Sequence, residues 1–191
     1  MRSLVVLAAA ILVVIPLLQE VSRASDQPGI SPETVADYIH AVIEADRTFY
    51  TIHVVERQQM GGGAVAAENW RAKKNLLPLP AQFLMESSDL ATKTGTRVRY
   101  RLISLWPINP HNGPYSELEK QGLEAVRQHP ERSATGTVKV GNQTYFQAIY
   151  ADRAVSQACV ACHNAHPGSA KKDFKMNDVM GALVIEIPLE K

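Results

Sequence analysis

The chain has 191 residues, and its 20 basic and 19 acidic side chains leave a formal net charge of +1 at pH 7. A near-neutral chain lacks the basic field that attracts nucleic acid, so no nucleic acid partner is expected. Its two cysteines are too few for a fold built on several disulfides or for a zinc site of four thiolates. The length that remains after an N-terminal leader is enough for one domain with a hydrophobic core.

The N-terminus has the pattern of a secretory signal. A basic start precedes an apolar run from Leu4 to Leu18, and Ser22-Arg23-Ala24 offers small residues where a signal peptidase cuts. We therefore predict a signal peptide over residues 1–24. The apolar run of about 15 residues is shorter than the roughly 20 of a spanning helix, but its Leu, Val and Ile content leaves an uncleaved membrane anchor as the alternative. Both interpretations place a domain at residues 31–191 in the periplasm or its equivalent.

A long first helix follows. Ser31 and Pro32 give a hydroxyl cap and a proline at the first helical position, and apolar residues recur at helical spacing until Met60, where three glycines end the pattern. Roughly 28 residues is long for a globular helix. Part of it is therefore expected to stand clear of the core or to pack on a second subunit, which leaves a homodimer open. His53 is a candidate iron ligand, although a lone histidine on an apolar stripe is more often an ordinary core residue.

A second, shorter helix is predicted from Ala81 to about Thr92, after an extended segment that ends in Leu79-Pro80. It carries Met85, whose thioether is a usual sixth ligand to the iron of a c-type haem. Methionine is also a common filler of hydrophobic cores. Met85 is the first candidate for a distal iron ligand, ahead of His53.

Residues Thr96 to Leu102 alternate strictly and predict a strand with Arg97, Arg99 and Arg101 on one face. Two interpretations stay open for this face: a solvated, edge-like surface, or a surface on which one arginine, such as Arg101, pairs with a haem propionate. Trp106 follows before a loop rich in proline, and it is a candidate wall for a haem or an ordinary core residue.

The second half of the chain predicts a helix and then a sheet. Ser116-Glu117-Leu118-Glu119 is a capping box that starts a helix, and Gly141-Asn142 joins two β-rich runs as a hairpin. A last strand is predicted from Met180 to Pro188. Helices followed by an antiparallel sheet indicate an α+β domain.

Cys159-Val160-Ala161-Cys162-His163 contains both cysteines of the chain. A Cys-x-x-Cys-His run is the attachment signature of a c-type haem, in which two thiols bind the porphyrin and the adjacent imidazole binds the iron. The alternative is a thioredoxin-like thiol pair or a chance vicinal disulfide, but such pairs do not require the trailing histidine. His166, three residues beyond His163, is expected to be a partly exposed loop residue.

Several segments together resemble one family. They are the haem stretch Ala158–Asn164, the closing run Lys175–Pro188, the middle loop Ile108–Pro114 with the acidic helix after it, and Arg47–Thr51 in the first helix. They look like the single-haem c-type domain with a PAS-like fold, which serves as a periplasmic sensing domain in bacterial signalling proteins and as a free-standing cyanobacterial haem protein. The resemblance covers roughly residues 31 to 190.

The resemblance implies a PAS-like sheet with one covalent haem held by Cys159 and Cys162, and with His163 as the proximal iron ligand. The cyanobacterial member uses a cysteine as its second axial ligand, and this chain has no third cysteine. The identity of the distal ligand, Met85, His53 or none, therefore stays open.

Three classes of function follow from a haem domain. An exported electron carrier or redox sensor that works with a redox partner or a signalling component is the leading interpretation, and a sensor of gas or another small ligand is the alternative. A haem enzyme is not expected, because nothing in the sequence marks a pair of acid and base groups.

Overall fold

The computed structural model describes residues 29–189, and the segment interpreted as a signal peptide or anchor, residues 1–24, lies outside them. The described residues cover the predicted domain except for its last two residues. No helix among them combines the length and the apolar content that crossing a membrane requires.

The first helix runs without a break to Met60, as predicted. Helix α1 (Pro32–Phe49) continues into a π-helical segment (Tyr50–Glu56) and a last α-helical turn, α2 (Arg57–Met60). The hydroxyl of the buried Thr51 donates a hydrogen bond to the Arg47 carbonyl at 2.7 Å, a contact that competes with the regular helical ladder. The π segment was not indicated by the sequence pattern, and such segments are frequent at functional sites.

Four strands form the main sheet: β3 (Arg99–Ile103), β4 (Ala134–Val140), β5 (Gln143–Arg153) and β6 (Val179–Pro188). Their order is β3-β6-β5-β4 and every neighbouring pair is antiparallel. Gly141 has a φ of 60°, the left-handed conformation that a two-residue hairpin turn between β4 and β5 needs. The predicted α+β class, with a long N-terminal helix before an antiparallel sheet, is confirmed.

Helices cover both faces of this sheet. On one face, α1 and α3 (Pro80–Thr92) bury Ala36 and Leu84 against Leu183 and Ile185 of β6. On the other face, α4 (Glu117–Gln128) buries Leu123 and Val126 against Ile103, Ile149 and Val184. The predicted hydroxyl cap starts α4, since the Ser116 hydroxyl accepts a hydrogen bond from the Glu119 N–H at 3.2 Å. The reciprocal half of the predicted capping box differs, because the Glu119 carboxylate accepts from the Tyr115 N–H at 2.6 Å rather than from the Ser116 N–H.

The remaining elements connect these layers. Two short parallel strands, β1 (Val65–Ala66) and β2 (Leu76–Leu77), flank a 3₁₀ turn at Trp70–Ala72, and a second 3₁₀ turn lies at Pro110–Asn112. Helix α5 (Gln157–Ala165) leaves the end of β5 and contains the Cys-x-x-Cys-His run.

The sequence predicted that Arg97, Arg99 and Arg101 share one face of a strand, and this prediction is wrong for Arg97. Strand β3 begins at Arg99, and Arg97 adopts a φ of 58° in the turn after Gly95, so it does not share the strand's alternation. Arg99 and Arg101 do lie on one face of an edge strand, but each is held in an ion pair, with Glu186 at 2.9 Å and with Glu119 at 2.5 Å. The face is therefore less solvated than the alternation alone suggests.

Gly181 on β6 generates a test of the sheet packing. A β-carbon at this position would collide with the backbone carbonyl oxygen of Ile103 on β3, which cannot rotate away as a side chain can. We expect Gly181→Ala to lower the free energy of unfolding by about 1–3 kcal/mol in urea titration. Gly113→Ala is the control, because its β-carbon would meet only ordinary contacts in a loop. Equal losses from the two substitutions would contradict this packing.

Candidate functional site

Helix α5 places the two cysteines and the histidine together. The Ser156 hydroxyl caps the helix by accepting a hydrogen bond from the Ala158 N–H at 3.0 Å. Cys159, Cys162 and His163 then occupy positions i, i+3 and i+4, which lie on the same side of a helix. Cys159 is half-buried, Cys162 is exposed, and both are free thiols. The helix thus presents two thiols and one imidazole on a single face.

Aromatic side chains border this face. Cys159 and Val160 pack in a cluster with Trp106 and Phe174. The ring of His163 meets Phe174 edge-on, with the ring centres 5.9 Å apart. Trp106, predicted as a haem wall or an ordinary core residue, thus packs against the same cluster as Cys159, and its role toward a haem stays a prediction.

Asn164 fixes the position of Phe174. Its side-chain amide donates to the Phe174 carbonyl at 2.9 Å, and its side-chain oxygen accepts from the Phe174 N–H at 3.0 Å. Because Asn164 follows His163 directly, these two bonds tie the loop after α5 to the helix that carries the motif. Sequence reasoning missed this role, and the only signal for it was the position of Asn164 inside the segment that resembles the haem family.

A nearly buried ion pair stands beside the motif. Two guanidinium nitrogens of Arg47, near the end of α1, contact the two carboxylate oxygens of Asp152 at the end of β5, one of them at 3.1 Å. The Arg47 side chain is 15% exposed and the Asp152 side chain is 14% exposed. The positive charge of Arg47 acts to lower the pKa of both the Cys159 thiol and the His163 imidazole. The sequence analysis included Arg47–Thr51 in the family resemblance but predicted no role for Arg47.

The local electrostatics keep all three groups neutral near pH 7. Burial raises the pKa of the Cys159 thiol, and the Arg47 charge opposes this only in part. Cys162 is exposed as a residue, but partial desolvation of its thiol and then the Glu68 carboxylate raise its pKa. Burial and then the charges of Arg47 and His166 lower the pKa of His163, so its imidazole is unprotonated at neutral pH. A reactive thiol pair needs the opposite shift, a lowered thiol pKa, whereas an unprotonated imidazole can bind a metal.

Met85 lies in a different part of the core. It packs against the cluster formed by α1, α3 and one face of the sheet, whereas Cys159 belongs to the cluster with Trp106 and Phe174. His53, the other distal candidate, is exposed on the π segment, where its ring meets Phe49 with centres 4.8 Å apart. The assignment of either residue as an iron ligand stays a prediction.

Arg101 contacts residues of α4 and the loop before it rather than the cysteine motif. Its guanidinium contacts Glu119 at 2.5 Å and lies 4.0 Å over the ring of Tyr115. The same carboxylate accepts bonds from the Tyr115 N–H at 2.6 Å and from the Gln147 amide at 3.2 Å. Glu119 is only 3% exposed, so Arg101 neutralises a buried carboxylate on the α4 side of the sheet. The structure thus gives Arg101 a structural role as the partner of Glu119, and its pairing with a haem propionate stays a prediction.

A cavity of about 590 Å³ lies between α1, the 130–133 loop and β5. Asp37, His40, Tyr150 and Arg153 line it, and none of the three motif side chains does. A neighbouring space of about 20 Å³ reaches Arg47, Asp152 and Val155 at the start of the turn into α5. The cavity therefore approaches the motif through the ion pair without including it.

The donor set can be tested against the group that the motif implies. Attachment of a haem requires two free thiols and an unprotonated imidazole on one helical face, next to apolar and aromatic walls. Cys159, Cys162 and His163 meet these conditions, with Trp106 and Phe174 as the walls. Within residues 29–189, no group of three or more His, Cys, Asp or Glu side chains is placed to hold a metal ion by itself. The residues present thus fit a haem attached through thiols.

Comparison with known proteins identifies the family. The family model described as Tll0287-like matches residues 26–188, which include α1, α5 and the whole main sheet. The chain belongs to the Tll0287-like family.

A solved structure, "Crystal structure of the cyanobacterial heme-protein Tll0287", is similar to this Tll0287-like chain with a TM-score of 0.52 and 16% sequence identity. The match covers 85% of this chain and 99% of that chain. At 16% sequence identity, the similarity between the two structures supports the fold alone. A search of curated proteins found no match.

The Arg47–Asp152 pair leads to a prediction about stability. Arg47→Leu would leave the Asp152 carboxylate buried without its partner, so we expect the free energy of unfolding to fall by about 3 kcal/mol. Replacing both residues, Arg47→Leu with Asp152→Leu, should restore much of this loss, because no charge is then left unpaired. Urea titration of the two variants at pH 7 compares them, and a double variant as unstable as the single one would contradict the coupling.

Proposed function

We propose that this Tll0287-like protein is an exported c-type haem-binding protein that acts in periplasmic electron transfer or redox sensing. One haem would be attached through the thiols of Cys159 and Cys162, with His163 as the proximal iron ligand. The observation that carries the proposal is the common face of α5, where two free thiols and an imidazole lie together beside the Phe174 ring. The similarity to a structure titled as a heme-protein supports the same group.

The neighbouring residues have defined tasks around this group. A bound haem supplies an iron that gains or loses one electron. Phe174, fixed by Asn164, supports the ring of His163 and limits its rotation. Trp106 packs against the same cluster as Cys159 and would supply an apolar wall there. The Arg47–Asp152 pair sets the local charge without adding a net charge.

The exposure of Cys162 favours a role in electron exchange. A porphyrin bound to an exposed thiol lies partly at the surface, where a redox partner or signalling component can approach it. Export and a periplasmic location rest on the N-terminal signal pattern at residues 1–24, which also leaves a membrane anchor open. We expect no enzymatic activity.

The attachment is tested by the pyridine haemochrome spectrum of the protein purified after co-expression with a haem maturation system. We expect a spectrum typical of two thioether links and haem that stays with the chain after acid–acetone extraction. In Cys159→Ser with Cys162→Ser, we expect that extraction to remove all haem. Ser169→Ala, outside the motif, is the matched control and should retain it. A wild-type chain that carries no haem would contradict the proposal and favour the alternative of a thioredoxin-like thiol pair.

A second function, sensing of gas or another small ligand, is favoured by the position of Met85. This thioether packs with the α1–α3 face of the sheet, in another cluster than Cys159, which leaves the distal side of the iron without an assigned ligand.

Met85→Ala separates the two functions. If Met85 is not bound to iron, the variant should keep the wild-type visible spectrum. A reduced wild type that is high-spin and binds carbon monoxide readily would then support sensing, whereas a low-spin spectrum that is unchanged in Met85→Ala would point to His53 as the ligand. A low-spin wild type that ignores carbon monoxide and becomes high-spin in Met85→Ala would instead establish Met85 as the ligand. Electron transfer would then be the better-supported function.

A further inference from the structure

The face of α1 turned away from the sheet carries no charge. The sheet-facing side of α1 is marked by Ala36, Ile39 and Ile43, which pack in the core. At 3.6 residues per turn, the opposite side holds small, apolar and hydroxyl side chains only. These residues are Thr34, Tyr38, Ala41, Val42, Ala45, Thr48, Phe49 and Ile52. We call this set the outer face of α1.

Large apolar side chains on the outer face are open to solvent. Tyr38 is 65% exposed, and Val42 and Phe49 are each 62% exposed. The charged residues of the helix lie at its flanks or toward the core, where Asp37 accepts a hydrogen bond from Tyr150 and Arg47 binds Asp152. A helix with solvent on one side normally turns its polar residues outward. An apolar outer face is therefore the face of a helix that is covered in its working state.

The spacing along the outer face is that of a helix pair. Within α1, Tyr38, Val42, Ala45 and Phe49 follow one another at intervals of four, three and four residues, and Ile52 adjoins them in the π-helical segment. This is the a/d repeat by which one helix packs along another. Ala41 and Ala45 lie in the middle of the face, and their small side chains allow the two backbones to approach closely.

We propose that the outer face of α1 packs against the outer face of α1 in a second copy of this chain, as a two-fold homodimer. A two-fold contact joins the same patch on both subunits, and an uncharged apolar stripe is complementary to itself. The charged residues Asp37, Glu44 and Asp46 lie on the flanks of the outer face, so they stay in water at the edge of the contact and the stripe itself is uncharged.

The available area sets the strength of this contact. A fully buried aromatic side chain removes about 150–250 Å² from water, so Tyr38 and Phe49, each more than half exposed, contribute roughly 200–300 Å² per copy. Val42, the alanines and Ile52 bring the contact toward the lower part of the range for specific interfaces, about 1,200 Å² over both partners. The dimer should therefore dissociate on dilution rather than be permanent.

Sedimentation velocity of the haem-loaded protein tests the proposal. Over about a hundredfold range of concentration, we expect the wild type to shift between the mass of one chain and twice that mass. Tyr38→Glu with Phe49→Glu should weaken the association at least about tenfold, because the dimer would bury four carboxylates. Leu90→Glu is the matched control: Leu90 is 65% exposed on α3, away from the outer face, so the change should leave the association as it is.

Two results would overturn the dimer. A wild type that stays monomeric at every concentration means that something else covers the outer face, such as the apolar run of residues 4–18. A dimer that survives both Tyr38→Glu with Phe49→Glu and Val42→Lys uses another surface. The wild-type dilution series needs no variant, and the haem spectrum recorded in the same cell separates a failure of dimerisation from a failure of haem attachment.

Discussion

The ion pair between Arg47 and Asp152 is the contact on which the arrangement of the site depends. It joins the end of α1 to the end of β5, and β5 leads within a few residues into the helix with Cys159 and His163. Because both charges are nearly buried, neither can be lost alone without leaving the other unsatisfied. The pair therefore holds the long N-terminal helix and the motif helix at a fixed distance while contributing almost no net charge.

Burial decides which chemistry the motif favours. The same Cys-x-x-Cys spacing serves thiol exchange when positive groups lower a thiol pKa. Here burial raises the pKa of both thiols and lowers that of His163, so three neutral groups face one side of α5. Neutral thiols are poor nucleophiles for exchange, and a neutral imidazole is a ready metal ligand. The environment of the motif thus agrees with its spacing, and the two observations are independent.

Local signals predicted most of the elements. The helix start after Ser31, the hydroxyl cap at Ser116 and the glycine turn at Gly141 each depend on three or four residues, and each lies where its pattern placed it. The errors arose where other local features overrode the apolar pattern. Alternation placed Arg97 in a strand, but the turn after Gly95 gave it a positive φ. Helical periodicity missed the π segment, because it accompanies a bond between the Thr51 hydroxyl and the Arg47 carbonyl that no apolar pattern reports.

By itself, the sequence determined the α+β class, the Cys159, Cys162 and His163 motif, and a family resemblance that the Tll0287-like match confirms. These depend on residue type and short spacing, which a chain carries before it folds. The tertiary structure alone decided that Arg47 and Asp152 stand beside the motif, that Asn164 fixes Phe174, and that Arg101 serves Glu119. Arg47 and Asp152 are 105 residues apart in sequence. No local pattern specifies such a pairing, because it results from the packing of α1 and β5 on one sheet.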